Sequence, residues 1–191
     1  MHASVVAGIF VGGSSTRMGG QPKGLLRGPS GETLVERWKV LFAALAIPCV
    51  LVGQRERSAY ASAGLEVLAD TRAEDDLGPL GGLLALLEHA GEGHAIAVAC
   101  DMPFASAELV RKLAETGTEA PALAARRERR WEPFFARYDG RAVLPTARAH
   151  ADARRGSLQA LLDAVRAAEL AMSDEEQAQL RDWDTPEDAA R

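Results

Sequence analysis

The sequence predicts an α/β fold: a mostly parallel sheet with helices on both faces, forming a three-layer α/β/α sandwich. Two observations predict it. Short apolar runs alternate with segments of helical periodicity, and the runs Val5–Val11, Pro48–Val52 and Ala95–Cys100 are apolar throughout rather than at every second residue. A strand that is apolar on both sides must be buried on both sides, which a parallel sheet between two helical layers provides.

The elements follow in order. Val5–Val11 is the first strand and opens into a glycine-rich loop over Gly12–Gly31. Thr33 and Glu36 are spaced as a capping box, and Leu34, Trp38, Leu41, Phe42 and Leu45 recur at helical spacing behind it. Pro48–Val52 is a second strand, Arg55–Ala63 a helix ending at Gly64, and Glu66–Ala69 a short third strand ending at Asp70. Gly78-Pro79-Leu80-Gly81-Gly82 starts a helix whose apolar stripe is Leu80, Leu83, Leu84 and Leu87. Ala95–Cys100 is a buried strand that stops at Asp101, and Ser106 caps a helix running to about Thr116. Pro121–Arg126 and Glu132–Tyr138 are strands around a basic turn, Arg126–Arg130, and Leu158–Ala167 is a further helix. No linker or repeat divides the chain, so its 191 residues are expected to form one domain, 1–191.

Composition excludes several functions. The formal net charge of −5 speaks against a broad nucleic-acid-binding surface, which needs clustered Lys and Arg. Cys49 and Cys100 both lie in apolar runs without a CxxC or Cys/His cluster, which suits buried reduced thiols and no metal–thiolate site. The apolar stretch Val5–Val11 is interrupted by Gly8 and is too short to span a bilayer. No membrane partner is expected, and a cytoplasmic location follows.

Three features carry chemistry. The loop Gly12-Gly13-Ser14-Ser15-Thr16-Arg17-Met18-Gly19-Gly20-Gln21-Pro22-Lys23 follows the first strand, where open α/β sheets bind ligands. Its glycines let the backbone approach an anion, its hydroxyls donate, and Arg17 and Lys23 supply positive charge. It fits neither the Walker loop nor the dinucleotide fingerprint. Asp101 then ends six apolar residues; a charge there is expensive unless paired or metal-bound, and Mg²⁺ favours one or two carboxylates with phosphate oxygens and water. Capping of the following segment is the plainer use of the same aspartate. Asp70 beside the glycines of 78–82 marks a helix N-terminus suited to an anion.

The order Gly12-Gly13-x-Ser15-x-Arg17-Met18-Gly19 followed by Pro22-Lys23 resembles the signature of nucleotidyltransferases. Cys100-Asp101-Met102-Pro103-Phe104, the segment Asp70 to Gly82, Glu132-Pro133 with Phe135, and Thr185-Pro186-Glu187-Asp188 resemble the molybdenum cofactor guanylyltransferases in particular. The resemblance implies a Rossmann-like fold of nucleotidyltransferase type. It implies transfer of GMP from GTP to molybdopterin-bound molybdenum, with release of pyrophosphate and Mg²⁺ as cofactor. GTP and the molybdopterin cofactor are then the small-molecule partners, with molybdoenzymes or cofactor chaperones as protein partners. By the same resemblance Arg17, Lys23 and Asp101 are catalytic, and Asp101 binds the metal. Val11, Gly12, Gly13, Ser14, Ser15, Lys23, Asp70, Gly78 and Asp101 are the nucleotide-binding set.

The sequence departs from the family in two instructive places. Val52-Gly53-Gln54 stands where an asparagine contacts the nucleotide, which leaves a cytidylyltransferase of the same pathway as an alternative. Asp182 and Asp184 stand where the family has asparagines, so Asp184, with Asp182 beside it, is a further candidate Mg²⁺ ligand; a solvated acidic cap is the plainer reading. Arg126, Arg127, Arg129 and Arg130 read as a solvated hairpin turn, with the anionic pterin as their alternative partner. A homologue that binds GTP without catalysis is the rival from another class, against which the retention of Arg17, Lys23 and Asp101 argues.

Overall fold

A computed structural model of the chain describes residues 4–11, 22–28, 31–53 and 57–183. Its seven strands are β1 (Val5–Phe10), β2 (Cys49–Val52), β3 (Val67–Leu68), β4 (His94–Ala99), β5 (Ala122–Arg127), β6 (Arg130–Asp139) and β7 (Ala168–Glu169). Its helices are α1 (Leu34–Ala44), α2 (Pro79–Ala90), α3 (Ala107–Glu115), α4 (Gly140–Asp152), α5 (Leu158–Ala164) and α6 (Asp174–Ala178). The strands form one sheet in the order β3-β2-β1-β4-β6-β5-β7. Only β6 runs against the others: it is antiparallel to β4 and to β5, while the remaining pairings are parallel.

Both faces are covered, as the apolar runs require. Along β1, Val6 and Phe10 enter one core cluster while Ala7 and Ile9 enter the other; β4 divides in the same way, Ala95 and Ala97 against Ile96 and Val98. The first cluster receives the leucines of α2 and the apolar residues of α4 and α5, and small sheet residues make room for them. Gly8 marks the closest approach, because a Cβ there would lie 2.5 Å from a methyl of Leu86. The second cluster receives α1, α3 and Leu180.

The capping box is present as expected: Glu36 N–H donates to Thr33 Oγ1 at 3.2 Å and Thr33 N–H to Glu36 Oε2 at 2.8 Å. Ser106 caps α3 by accepting from Leu109 N–H. The basic turn is a tight hairpin in which Arg127 pairs with Arg130, and its central residues Glu128 and Arg129 both have positive φ.

The structure corrects three expectations. The segment expected as a helix over Arg55–Ala63 is a 3-10 segment, Arg57–Ala63, Arg55 lying outside the described residues. The helix from Leu158 ends at Ala164 rather than Ala167; Arg166 takes a positive φ and turns the chain so that Ala168 pairs with Leu123 as β7. Residues 140–152, given no element by the sequence pattern, form α4 with Pro145 inside it.

Candidate active site

The chain passes from β1 to β2 on one side of the sheet and from β3 through α2 to β4 on the other. The carboxyl ends of β1 and β4 therefore flank the crevice where strand order reverses, the usual ligand position in such sheets. Cys100 N–H donates to Phe10 O at 3.1 Å, so the first residue beyond β4 stays registered on the end of β1. Asp101 follows it at that edge.

Lys23 reaches the same place from the other loop. It begins a 3-10 turn, Lys23–Leu25, and its Nζ lies 2.9 Å from Asp101 Oδ2. Both side chains are only partly shielded, with 26% and 17% of their surface exposed, so the pair is partly solvated. Two features hold the turn. Gly24 N–H donates to the hydroxyl of buried Tyr60 at 3.2 Å, and a Cβ at Gly24 would lie 2.8 Å from Val35 and 2.9 Å from that hydroxyl. Tyr60 had no signature in the sequence: a single tyrosine in a polar stretch names no partner.

The second half of the site lies at the carboxyl end of β3. Asp70 faces the first turn of α2, where Cβ atoms at Gly81 and Gly82 would lie 3.3–3.4 Å from its side chain. Gly82 is also confined by Val52 and Phe10, at 2.9 and 3.0 Å. Gly78 precedes the helix with φ +57° and ψ −138°, a conformation glycine adopts readily and side-chain-bearing residues do not. Burial pushes the Asp70 carboxyl above its ordinary range. A partly buried carboxylate beside a helix N-terminus offers a hydrogen-bond acceptor at this strand end.

Of the remaining candidates, Val11 follows β1 with its side chain in the core and its N–H bonded to Val52 O at 3.0 Å. Gly12, Gly13, Ser14, Ser15, Arg17 and Asp184 lie outside the described residues, as does Gln54. Asp182 is described, and its carboxylate lies 3.5 Å from Arg127, which also pairs with Glu132 at 2.6 Å. The basic turn is thus divided: Arg127 points to this acidic pair, Arg126 lies 4.8 Å over the ring of Trp131, and Arg129 and Arg130 are exposed.

The donor set fits Mg²⁺ in one specific sense. Among the described residues no three acidic, His or Cys side chains gather into a metal cage. One partly exposed carboxylate, Asp101, stands at the ligand edge, and Mg²⁺ bound with a nucleotide takes most of its ligands from phosphate and water.

Comparison with known proteins places this geometry. The sequence profile of the MobA-like NTP transferase domain matches residues 7–171. A molybdenum cofactor guanylyltransferase of Pseudomonas putida is 34% identical over 170 residues, covering 87% of each chain. One from Serratia proteamaculans is 31% identical over 195 residues, covering all of this chain and 95% of its own. The crystal structure of molybdopterin-guanine dinucleotide biosynthesis protein A from Archaeoglobus fulgidus superposes with a TM-score of 0.75 at 24% identity, covering 97% of this chain and 95% of its own.

Proposed function

Because this chain belongs to the family of MobA-like NTP transferase domains, we propose that it transfers GMP from GTP to a molybdopterin-bound acceptor, releasing pyrophosphate, in an Mg²⁺-dependent reaction. The chain is a nucleotidyltransferase; the acceptor, the base and the metal are the proposal. The observation that carries it is the Lys23–Asp101 pair at the β1/β4 crevice, which puts a cation and a metal-compatible carboxylate where a triphosphate would lie. The names of the curated relatives support guanine and the molybdenum cofactor.

The nucleophile is the terminal phosphate of the pterin, already anionic at neutral pH, so no general base is needed. Its oxygen forms the new bond to the α-phosphorus of GTP, and the bond from that phosphorus to the oxygen bridging to the β-phosphate breaks with pyrophosphate as leaving group. Asp101 would hold Mg²⁺, which would supply positive charge to the triphosphate. Lys23 and Arg17 offset charge on the leaving pyrophosphate. Asp70 and the α2 N-terminus beside Gly78 hold the nucleoside end, so catalysis is chiefly positioning. The reaction belongs in the cytoplasm, with molybdoenzymes or cofactor chaperones downstream. No helix among the described residues is long and apolar enough to cross a membrane.

The test is calorimetry with GTP, CTP, ATP and UTP, each with and without Mg²⁺, followed by pyrophosphate release in the presence of molybdopterin cofactor. Selective, Mg²⁺-sensitive GTP binding is expected. Preference for CTP would move the assignment to cytidylyl transfer, the alternative that Gly53-Gln54 keeps open. Binding of none of the four would leave a non-catalytic homologue.

A further inference from the structure

The C-terminal segment after α5 grips the Asp101 loop at three points. Trp183 N–H donates to the carbonyl of Asp101 itself at 2.9 Å. The Trp183 ring meets Phe104 edge-on, with centroids 6.3 Å apart, while Arg181 lies 4.8 Å over the same phenyl ring. Gln179 Oε1 accepts from Ser106 N–H at 3.0 Å. Residues 101, 104 and 106 are therefore held by residues 179, 181 and 183.

That segment is itself anchored at both ends. Glu176 on α6 pairs with Lys112 of α3 at 2.7 Å, and Leu180 is wholly buried in the core cluster between the sheet and α1 and α3. At the far end Asp182 meets Arg127, which Glu132 fixes at the tip of the β5–β6 hairpin. Trp183 is only 1% exposed, yet its indole N–H finds no acceptor among the described residues. Among the described residues the ring contributes its burial and its contact with Phe104.

We propose that Trp183 is a positioning residue for Asp101: its buried ring anchors residues 179–183 as a strap that fixes the Asp101–Ser106 loop, and hence the carboxylate, opposite Lys23. The functional meaning rests on the nucleotidyltransferase reading above; the mechanical claim does not. Within the loop, Met102 and Ala105 are buried in the core and Arg37 donates to the Ala105 carbonyl at 2.7 Å, and local opening around Asp101 would swing the carboxylate out of line. The strap adds four contacts, to Asp101, Phe104 and Ser106, from residues remote in sequence.

The experiment compares full-length wild type, Trp183→Ala, Trp183→Phe and Leu162→Ala. Leu162 is fully buried in the opposite core cluster and serves as a control for lost stability. Hydrogen exchange of the segment 100–107 is read in the metal-free protein. The Mg²⁺ dependence of pyrophosphate release is read in parallel. Trp183→Ala is expected to raise exchange in that segment about tenfold, with α2 unchanged. It is expected to raise half-saturating Mg²⁺ about tenfold, as loss of a residue orienting a metal ligand does. Trp183→Phe keeps a ring and drops the indole N–H, so it should restore both. Wild-type protection of 100–107 in Trp183→Ala, or an equal loss in Leu162→Ala, overturns the proposal. Should Trp183→Ala fail to fold, Gln179→Ala removes the acceptor that the strap offers Ser106 N–H, and unchanged exchange at 100–107 in that variant overturns it equally. If wild type releases no pyrophosphate from any nucleotide, the functional reading fails while the exchange data still judge the strap.

Discussion

Lys23 Nζ lies 2.9 Å from Asp101 Oδ2, although 78 residues separate them in the chain. The pair joins the loop after β1 to the loop after β4, the two strands that flank the crevice. Replacing Lys23 with Ala is expected to lower the rate of pyrophosphate release about 10²–10³-fold, the cost of losing one preorganised charge. Stability should fall by no more than about 1 kcal/mol, because the pair is partly solvated. Near-normal turnover of GTP in this variant would remove Lys23 from the chemistry.

Tyr60 holds the backbone next to Lys23 through one hydrogen bond, Gly24 N–H to the phenolic oxygen. Tyr60→Phe keeps the ring and removes the acceptor from a buried donor, so urea unfolding should register a loss of about 1–3 kcal/mol. If Lys23 serves the reaction as proposed, turnover should fall as well, since a small displacement of such a cation is costly. Wild-type kcat in a measurably destabilised Tyr60→Phe would confine the tyrosine to packing.

Asp70 is expected to trade stability for binding. Burial raises its carboxyl above the ordinary value of 3.8, so the folded chain holds that proton more tightly than the unfolded chain. The ionised group therefore opposes folding at neutral pH, and the opposition fades as pH falls through the raised value towards the ordinary one. Asp70→Asn should unfold at higher urea than wild type at pH 7, and the advantage should shrink on acidification. Its affinity for GTP should drop about tenfold, the loss of a charged hydrogen bond. Equal unfolding midpoints at both pH values would contradict the assigned shift.

The hairpin tip offers a change with no effect on chemistry. Glu128 and Arg129 carry φ of +47° and +68°, values that Asn and Gly reach with less strain. Glu128→Asn together with Arg129→Gly should stabilise the protein by about 0.5–1 kcal/mol while leaving GTP turnover as it is. A lower melting temperature would show that the tip is held by contacts rather than by turn geometry.

Much of the fold is legible locally. Apolar runs without alternation, as at Val5–Val11 and Ala95–Cys100, read as strands buried on both faces, and Thr33 with Glu36 states where a helix begins. The sequence also put Lys23 in the loop after the first strand and Asp70 and Asp101 at strand ends, which in a parallel sheet means one edge. Local pattern was weaker where local forces are weak. Helix α4, with Pro145 inside it and few large apolar residues, owes its existence to packing on α2, and the two-residue strand β7 exists only because β5 offers it an edge. Tertiary structure alone decided that Lys23 meets Asp101, that Tyr60 reaches Gly24, and that Trp183 returns to the Asp101 carbonyl. These contacts join residues far apart in sequence, and their partners are set by how the layers stack, which no single stretch of the chain encodes.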